Sequence, residues 1–246
     1  RVDIPTQEQV DAFLPPYDPI QVLDPAEPIS IGAMVGPEAF TEVRYLAHYK
    51  QTQALRLIRN YADEFKTAFG RESGGLLRAY RADDAEILVV AMGSVCGTIK
   101  DTIDEMRDDG IRIGLITIVS YRPFPTDELR RALAGAQDVV VIEKSISPGL
   151  GGPLANDVDM ALRNMPRAPH LHSVIAGLGG RPITRPSLHR VFRQATVQPW
   201  EGAHFLDLNE YVVGREIHQT RKKRRSGPTA ENILRRMAEG GRPAAE

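Results

Sequence analysis

An alternation of apolar runs and amphipathic stretches from Asp84 to Leu162 constrains this chain more than any other feature. Ala85–Ala91 is a short apolar run of the kind that a strand covered on both faces requires. Met92-Gly93-Ser94 turns the chain into Val95–Asp108, an amphipathic stretch with Ile99, Ile103 and Met106 on one face, and Gly110 stops that helix. Ile111–Val119 supplies a second strand that ends at Tyr121-Arg122-Pro123-Phe124-Pro125. Thr126 is placed to cap a short helix over Asp127–Leu133. Asp138–Glu143 makes a third strand, and Gly149-Leu150-Gly151-Gly152 opens a helix running through Asp157, Met160 and Leu162. A fourth apolar run, Leu171–Ala176, leads through a glycine-rich segment to a helix from Arg185 through Phe192. Alternating strands and helices predict a parallel α/β sheet. Function in such a sheet belongs at the carboxyl ends of its strands.

The flanks read differently. Residues 1–40 hold Pro5, Pro15, Pro16, Pro19, Pro25, Pro28 and Pro37. Each proline removes a backbone donor and fixes φ, so this stretch is expected to run extended as a linking or wrapping arm. Its interleaved apolar residues, Val10, Phe13, Leu14, Tyr17, Ile20 and Val22, argue against a disordered tail. From Thr41 to Phe69 apolar residues return at spacings of three and four, which predicts a long entry helix stopped by Gly70. The α/β domain with this helix is expected over 41–197. Beyond Val197 regularity fades into an extension, 198–246, with a basic run at Arg221–Arg225 and a candidate helix at Thr229–Glu239 capped by Thr229. From Arg215 onward nine Lys/Arg stand against four Asp/Glu. That asymmetry suits an arm on an acidic neighbour and suits a solvated tail equally.

Composition excludes several classes. The 246 residues carry a net charge of −1, which points to neither a nucleic-acid binder nor an acidic scavenger. A single cysteine, Cys96, rules out an internal disulfide framework and any metal site built from several thiolates. No apolar run approaches the roughly 20 residues of a spanning helix. Arg1-Val2-Asp3-Ile4-Pro5 has no signal-peptide pattern, so a cytoplasmic location is expected. The start without methionine suggests a part of something longer.

Candidate chemistry is sparse. Gly93-Ser94 would place backbone N–H groups at a helix N-terminus, an anion site, or simply permit a tight turn. Neither G-x-G-x-x-G nor G-x-x-x-x-G-K-[ST] occurs. Gly149-Leu150-Gly151-Gly152-Pro153 looks like a phosphate cradle but lacks the lysine and hydroxyl that would follow one; its other reading is a close-approach loop with Pro153 in a helix's first turn. Arg122, at a strand end, can fork onto the carboxylate of a ligand or neighbour, or form a structural ion pair that fixes its loop. His170 and His172 lie on one side of a strand with no third ligand in view. Cys96 reads as a small buried residue. No Ser/His/Asp set and no paired carboxylates emerge, so the residues alone describe an α/β domain without a visible catalytic centre.

A succession of segments nevertheless resembles one family. Ala91-Met92-Gly93-Ser94, Gly110-Ile111-Arg112-Ile113-Gly114-Leu115, Arg122-Pro123-Phe124-Pro125, Val141-Ile142-Glu143-Lys144 and Gly151-Gly152-Pro153-Leu154 occur in the order seen in 2-oxoacid:ferredoxin oxidoreductases. They match the C-terminal half of the α subunit of pyruvate:ferredoxin oxidoreductases, which contains a transketolase C-terminal-like domain. Gly177-Leu178-Gly179-Gly180-Arg181-Pro182-Ile183-Thr184 is similar to that subunit's closing glycine motif, and the resemblance spans residues 1–197.

The resemblance implies a three-layer α/β domain with a parallel sheet of the transketolase C-terminal-like type. It also implies a place in a multi-subunit complex that decarboxylates pyruvate on thiamine diphosphate with Mg²⁺, or runs the reverse CO₂-fixing synthesis. Coenzyme A takes the acyl group, and electrons pass through [4Fe-4S] clusters to ferredoxin. The thiamine-binding and iron–sulfur subunits are then the partners, with no nucleic acid and no membrane. The cofactors are expected on other chains or domains: one cysteine cannot supply the four thiolates of a cluster. No residue here is expected to be catalytic or to bind metal, and the isolated chain is expected to be inactive. The strand-end loops at Gly93 and Ser94, at Arg122 and Phe124, and at Lys144 and Ser145 are expected to face substrate, coenzyme A or a partner subunit. Two rival readings remain. One is the C-terminal domain of a transketolase or 2-oxoacid dehydrogenase E1 β chain without ferredoxin; the other is a stand-alone interaction module that uses the basic tail.

Overall fold

Period-two alternation inside each apolar run sorts its side chains between two cores. In the computed structural model, which describes residues 3–28, 32, 34–197, 200–219 and 229–238, six strands form one sheet. They are β1 (Leu77–Tyr80), β2 (Ile87–Ala91), β3 (Ile113–Ile118), β4 (Asp138–Glu143), β5 (His170–Ile175) and β6 (Ala203–Phe205). Val89, Ala91, Leu115, Val140, Ile142 and Val174 point to one face, while Leu88, Val90, Ile116, Val139 and Val141 point to the other. Both faces are covered, so β2 is buried at every position, as its sequence requires.

The helices are α1 (Gln7–Phe13), α2 (Phe40–Phe69), α3 (Val95–Asp108), α4 (Thr126–Leu133), α5 (Pro153–Leu162), α6 (Arg185–Val197), α7 (Glu210–Gln219) and α8 (Thr229–Ala238). Ile99, Ile103 and Met106 of α3 and Leu188, Val191 and Phe192 of α6 close the first core. Leu129 and Leu133 of α4 and Leu154, Val158 and Leu162 of α5 close the second. The result is the expected three-layer α/β arrangement. Strand order is β1-β3-β2-β4-β5-β6.

Several details differ from the sequence reading. β1 runs antiparallel to β3, so the sheet is parallel only from β3 to β6. Its Leu-Arg-Ala-Tyr segment is exposed in the middle and offers no apolar run to detect. The proline-rich arm is not wholly extended. Thr6 and Gln9 form a reciprocal capping box that starts α1, and Phe13 packs edge-on against Phe65 and Phe69 of α2 at 5.8 and 5.1 Å. Thr126 does not cap α4: it is the first helical residue, Pro125 holds the cap position, and no side chain caps the helix. α6 continues five residues beyond Phe192. Thr229 likewise begins α8 rather than preceding it.

The C-terminal extension is more regular than expected. β6 adds a parallel edge strand beside β5, and α7 and α8 follow. The basic run Arg221–Arg225 lies outside the described residues. Gly70 ends α2 as anticipated, in the left-handed conformation with its N–H on the Lys66 carbonyl. An ion pair of 2.8 Å between Arg59 and Glu128 ties α2 to α4. From Phe40 to Gln53 every residue of α2 is exposed. No helix among the described residues is long and apolar enough to cross a membrane.

Candidate functional site

The chain leaves β2 through α3 toward β3 on one side, and leaves β4 through α5 toward β5 on the other. α3 and α5 cover opposite faces. Adjacent strands whose connections diverge leave a crevice between their carboxyl ends, the place where open α/β sheets take ligands. A cavity of 310 Å³ lies there. Met92 and Val95 reach it from the β2 end, Tyr121 from the β3 end, Glu143, Lys144 and Ser145 from the β4 end, and Pro153 and Leu154 from the start of α5.

Glu143 closes the floor. It ends β4, is 6% exposed, and accepts the N–H of Leu154 through Oε2 and that of Ala155 through Oε1, both at 2.9 Å. The first amides of a helix have no partner within it and carry the positive end of its dipole. Here an internal carboxylate meets both needs. The Gly149–Gly152 loop is therefore no phosphate cradle: its anion is part of the fold. A Cβ on Gly152 would collide with the Glu143 carboxylate, which explains glycine at the helix entrance. Burial pushes the Glu143 carboxyl above the ordinary glutamate range, the two amide hydrogen bonds pull it down, and the charge of Asp157 adds to the rise.

The β3 end is held by a second carboxylate. Tyr121 donates its hydroxyl to Asp157 Oδ2 at 2.7 Å, and Arg122 donates to the same oxygen at 2.8 Å. The Arg122 guanidinium lies 4.1 Å above the Tyr121 ring and 5.8 Å from that of Phe124. It also bonds the Tyr121 carbonyl at 2.9 Å. Arg122 thus takes the ion-pair alternative and fixes its own loop. Burial, followed by the Asp157 hydrogen bond, raises the Tyr121 phenol above its usual value.

The expected loops do converge. Lys144 and Ser145 line the cavity, and Gly93 and Ser94 form the turn between Met92 and Val95, which line it. Phe124 and Arg122 support Tyr121 from behind. The closing glycine motif joins them, since a Cβ on Gly177 would sit 3.0 Å from Lys144 Cε and from Ile183 Cδ1. Sequence reasoning passed over Tyr121, Glu143 and Asp157 as site residues. The one available signal was a charged residue ending the apolar run Val139-Val140-Val141-Ile142.

The other candidates sit elsewhere. His172 and His170 both approach Asp138, at 2.7 and 3.7 Å, at the amino-terminal ends of β4 and β5, where the Trp200 ring lies tilted against His172. Cys96 is buried in the α3 core. One buried thiol does not fit a [4Fe-4S] cluster. Among the described residues no group of three or more His, Cys, Asp or Glu side chains is arranged to hold a metal ion.

Comparison with known proteins adds family evidence. Residues 85–188 match the family model described as pyruvate:ferredoxin oxidoreductase core domain II. The chain is 40% identical to pyruvate synthase subunit PorA of Methanothermobacter thermautotrophicus over 85% of its own length and 53% of that protein. It is 39% identical to the same subunit of Methanosarcina barkeri over 84% and 53%. Ketoisovalerate oxidoreductase subunit VorA of Pyrococcus horikoshii is 33% identical, over 74% of this chain and 47% of that one. The chain therefore spans about half the length of the curated relatives it matches.

Proposed function

We propose, from the match of residues 85–188 to the pyruvate:ferredoxin oxidoreductase core domain II family model, that the chain is an α-subunit segment of a pyruvate:ferredoxin oxidoreductase (pyruvate synthase) complex. The complex decarboxylates pyruvate oxidatively on thiamine diphosphate with coenzyme A as acyl acceptor, or runs the reverse synthesis, and passes electrons through [4Fe-4S] clusters to ferredoxin. The observation that carries this reading is identity of about 40% to pyruvate synthase subunits across 84–85% of the chain. Pyruvate is preferred to a branched 2-oxoacid because identity falls to 33% with the ketoisovalerate relative.

Its single thiol cannot supply the four ligands of a cluster, and the role proposed for this chain is architectural: it packs against the thiamine-binding domains and completes the assembly. Its strand-end loops at Gly93, Ser94, Lys144 and Ser145 face the reacting partners, with Arg122 and Phe124 stiffening the adjoining loop. The arm and the outer half of α2 supply the docking surface for other subunits. Tyr17, Ile20, Phe40, Tyr45 and Leu46 are all more than half exposed there, an uncommon density of bare apolar residues on one stretch. The C-terminal extension serves the same end.

The test is co-expression with thiamine-binding and iron–sulfur subunits, followed by an assay of pyruvate- and coenzyme-A-dependent viologen reduction. Activity is expected only when this chain is present in the purified complex. A complex fully active without it, or activity of the chain alone, would overturn the proposal.

A further inference from the structure

We propose that the crevice between the carboxyl ends of β2 and β4 binds a short aliphatic carboxylate, with its tail on Met92, Val95 and Leu154 and its charge on Lys144. This deepens, and rests on, the reading of the strand-end loops as the functional face.

Three observations carry it. The cavity stands at the topological switch point of the sheet, and its 310 Å³ is the size of a small-molecule site. Its walls are mostly apolar, from Met92, Val95, Ile142, Pro153 and Leu154. Lys144 is the lining's one cation among the described residues, and no hydrogen bond or ion pair to its ammonium occurs among them. Gly177 leaves room for the Lys144 stem to lie across the β5 end.

The same geometry selects the class of ligand. A dianionic phosphate calls for several donors together: helix amides, an arginine fork, or a lysine with further donors beside it. The α5 amides are already taken by Glu143 and the Arg122 guanidinium by Asp157, and at the start of α3 the Cys96 and Gly97 amides are turned to the Gly93 and Ser94 carbonyls. A single ammonium beside an apolar wall matches one unit of negative charge on a short hydrocarbon. The Glu143 oxygens, turned to the α5 amides, leave the ligand's carboxylate to the Lys144 side of the crevice.

The test is a titration of the full 246-residue chain with sodium butanoate, followed at the Met92 methyl resonance. A saturable shift is expected, with none from n-butylammonium at the same concentration. Lys144→Gln is expected to weaken butanoate binding about ten-fold or more, and Lys144→Arg to retain most of it. Absence of a saturable shift, an equal response to the amine, or undiminished affinity in Lys144→Gln overturns the inference. Failed binding beside successful reconstitution of viologen reduction removes this ligand site and leaves the family role standing. Binding without reconstitution does the reverse.

Discussion

Glu143 and Gly152 exclude one another's alternatives: the carboxylate of Glu143 fills the space a side chain at Gly152 would need, and from there it reaches the amides of Leu154 and Ala155 at 2.9 Å. The contact fastens the end of β4 to the start of α5 and sets the wall of the strand-end cavity.

Gly152→Ala is therefore expected to push Glu143 off the helix and to cost about 2–4 kcal/mol, through a buried carboxylate stripped of its donors. Denaturant unfolding measures it. A loss no larger than that of an exposed glycine in a loop would contradict the assignment.

The Glu143 carboxyl also makes stability depend on pH. Its folded-state pKa is raised, so the native state binds the proton more tightly than the unfolded chain. Its contribution is greatest below the unfolded glutamate value, about 4.3, and is lost as pH rises through the folded value. Glu143→Gln is expected to remove this downward slope. It is also expected to cost about 1–3 kcal/mol, because an amide accepts from only one of the two helix N–H groups. Unfolding free energies of both proteins across the mildly acid range supply the comparison.

Asp157 is shared by Tyr121 and Arg122. Replacing it with Asn is expected to bring the Tyr121 phenol down toward its ordinary pKa, since the negative charge next to it is gone. Burial alone keeps part of the rise. An ultraviolet titration of Tyr121, assigned by Tyr121→Phe, reads the change; an unmoved phenol would refute the coupling.

Leu46, on the exposed half of α2, is 56% accessible. Leu46→Arg is expected to leave the unfolding free energy of the chain within about 0.5 kcal/mol while reducing recovery of partner subunits in co-purification. Equal recovery would place the docking surface elsewhere.

Much of the architecture was legible locally. Asp138–Glu143 and Val95–Asp108 match their observed bounds residue for residue, because an apolar run in one and a 3.6-residue stripe in the other leave a single consistent burial. Gly70 at the end of α2 and Pro153 opening α5 followed from backbone constraints that each residue carries in isolation. The position of Lys144 and Ser145 followed from chain direction in a parallel sheet.

Other features have no local cause. β1 lies antiparallel on the free edge of β3 although its half-exposed Leu-Arg-Ala-Tyr segment carries no local signal of direction, and β6 is three residues laid along Ser173–Ile175. Arg122 could equally have met a ligand until the fold brought Asp157, 35 residues later, to its guanidinium. The glycines of 149–152 looked open to an external anion until Glu143 was found at the helix they introduce. By itself the sequence determined which segments between β2 and α6 become strands and helices and which faces they bury, since burial period and backbone restriction act over a few residues. Strand direction at the edges, and the partner of each buried charge, were decided only by the tertiary structure, because desolvation lets a buried charge persist only where the completed fold supplies donors for it.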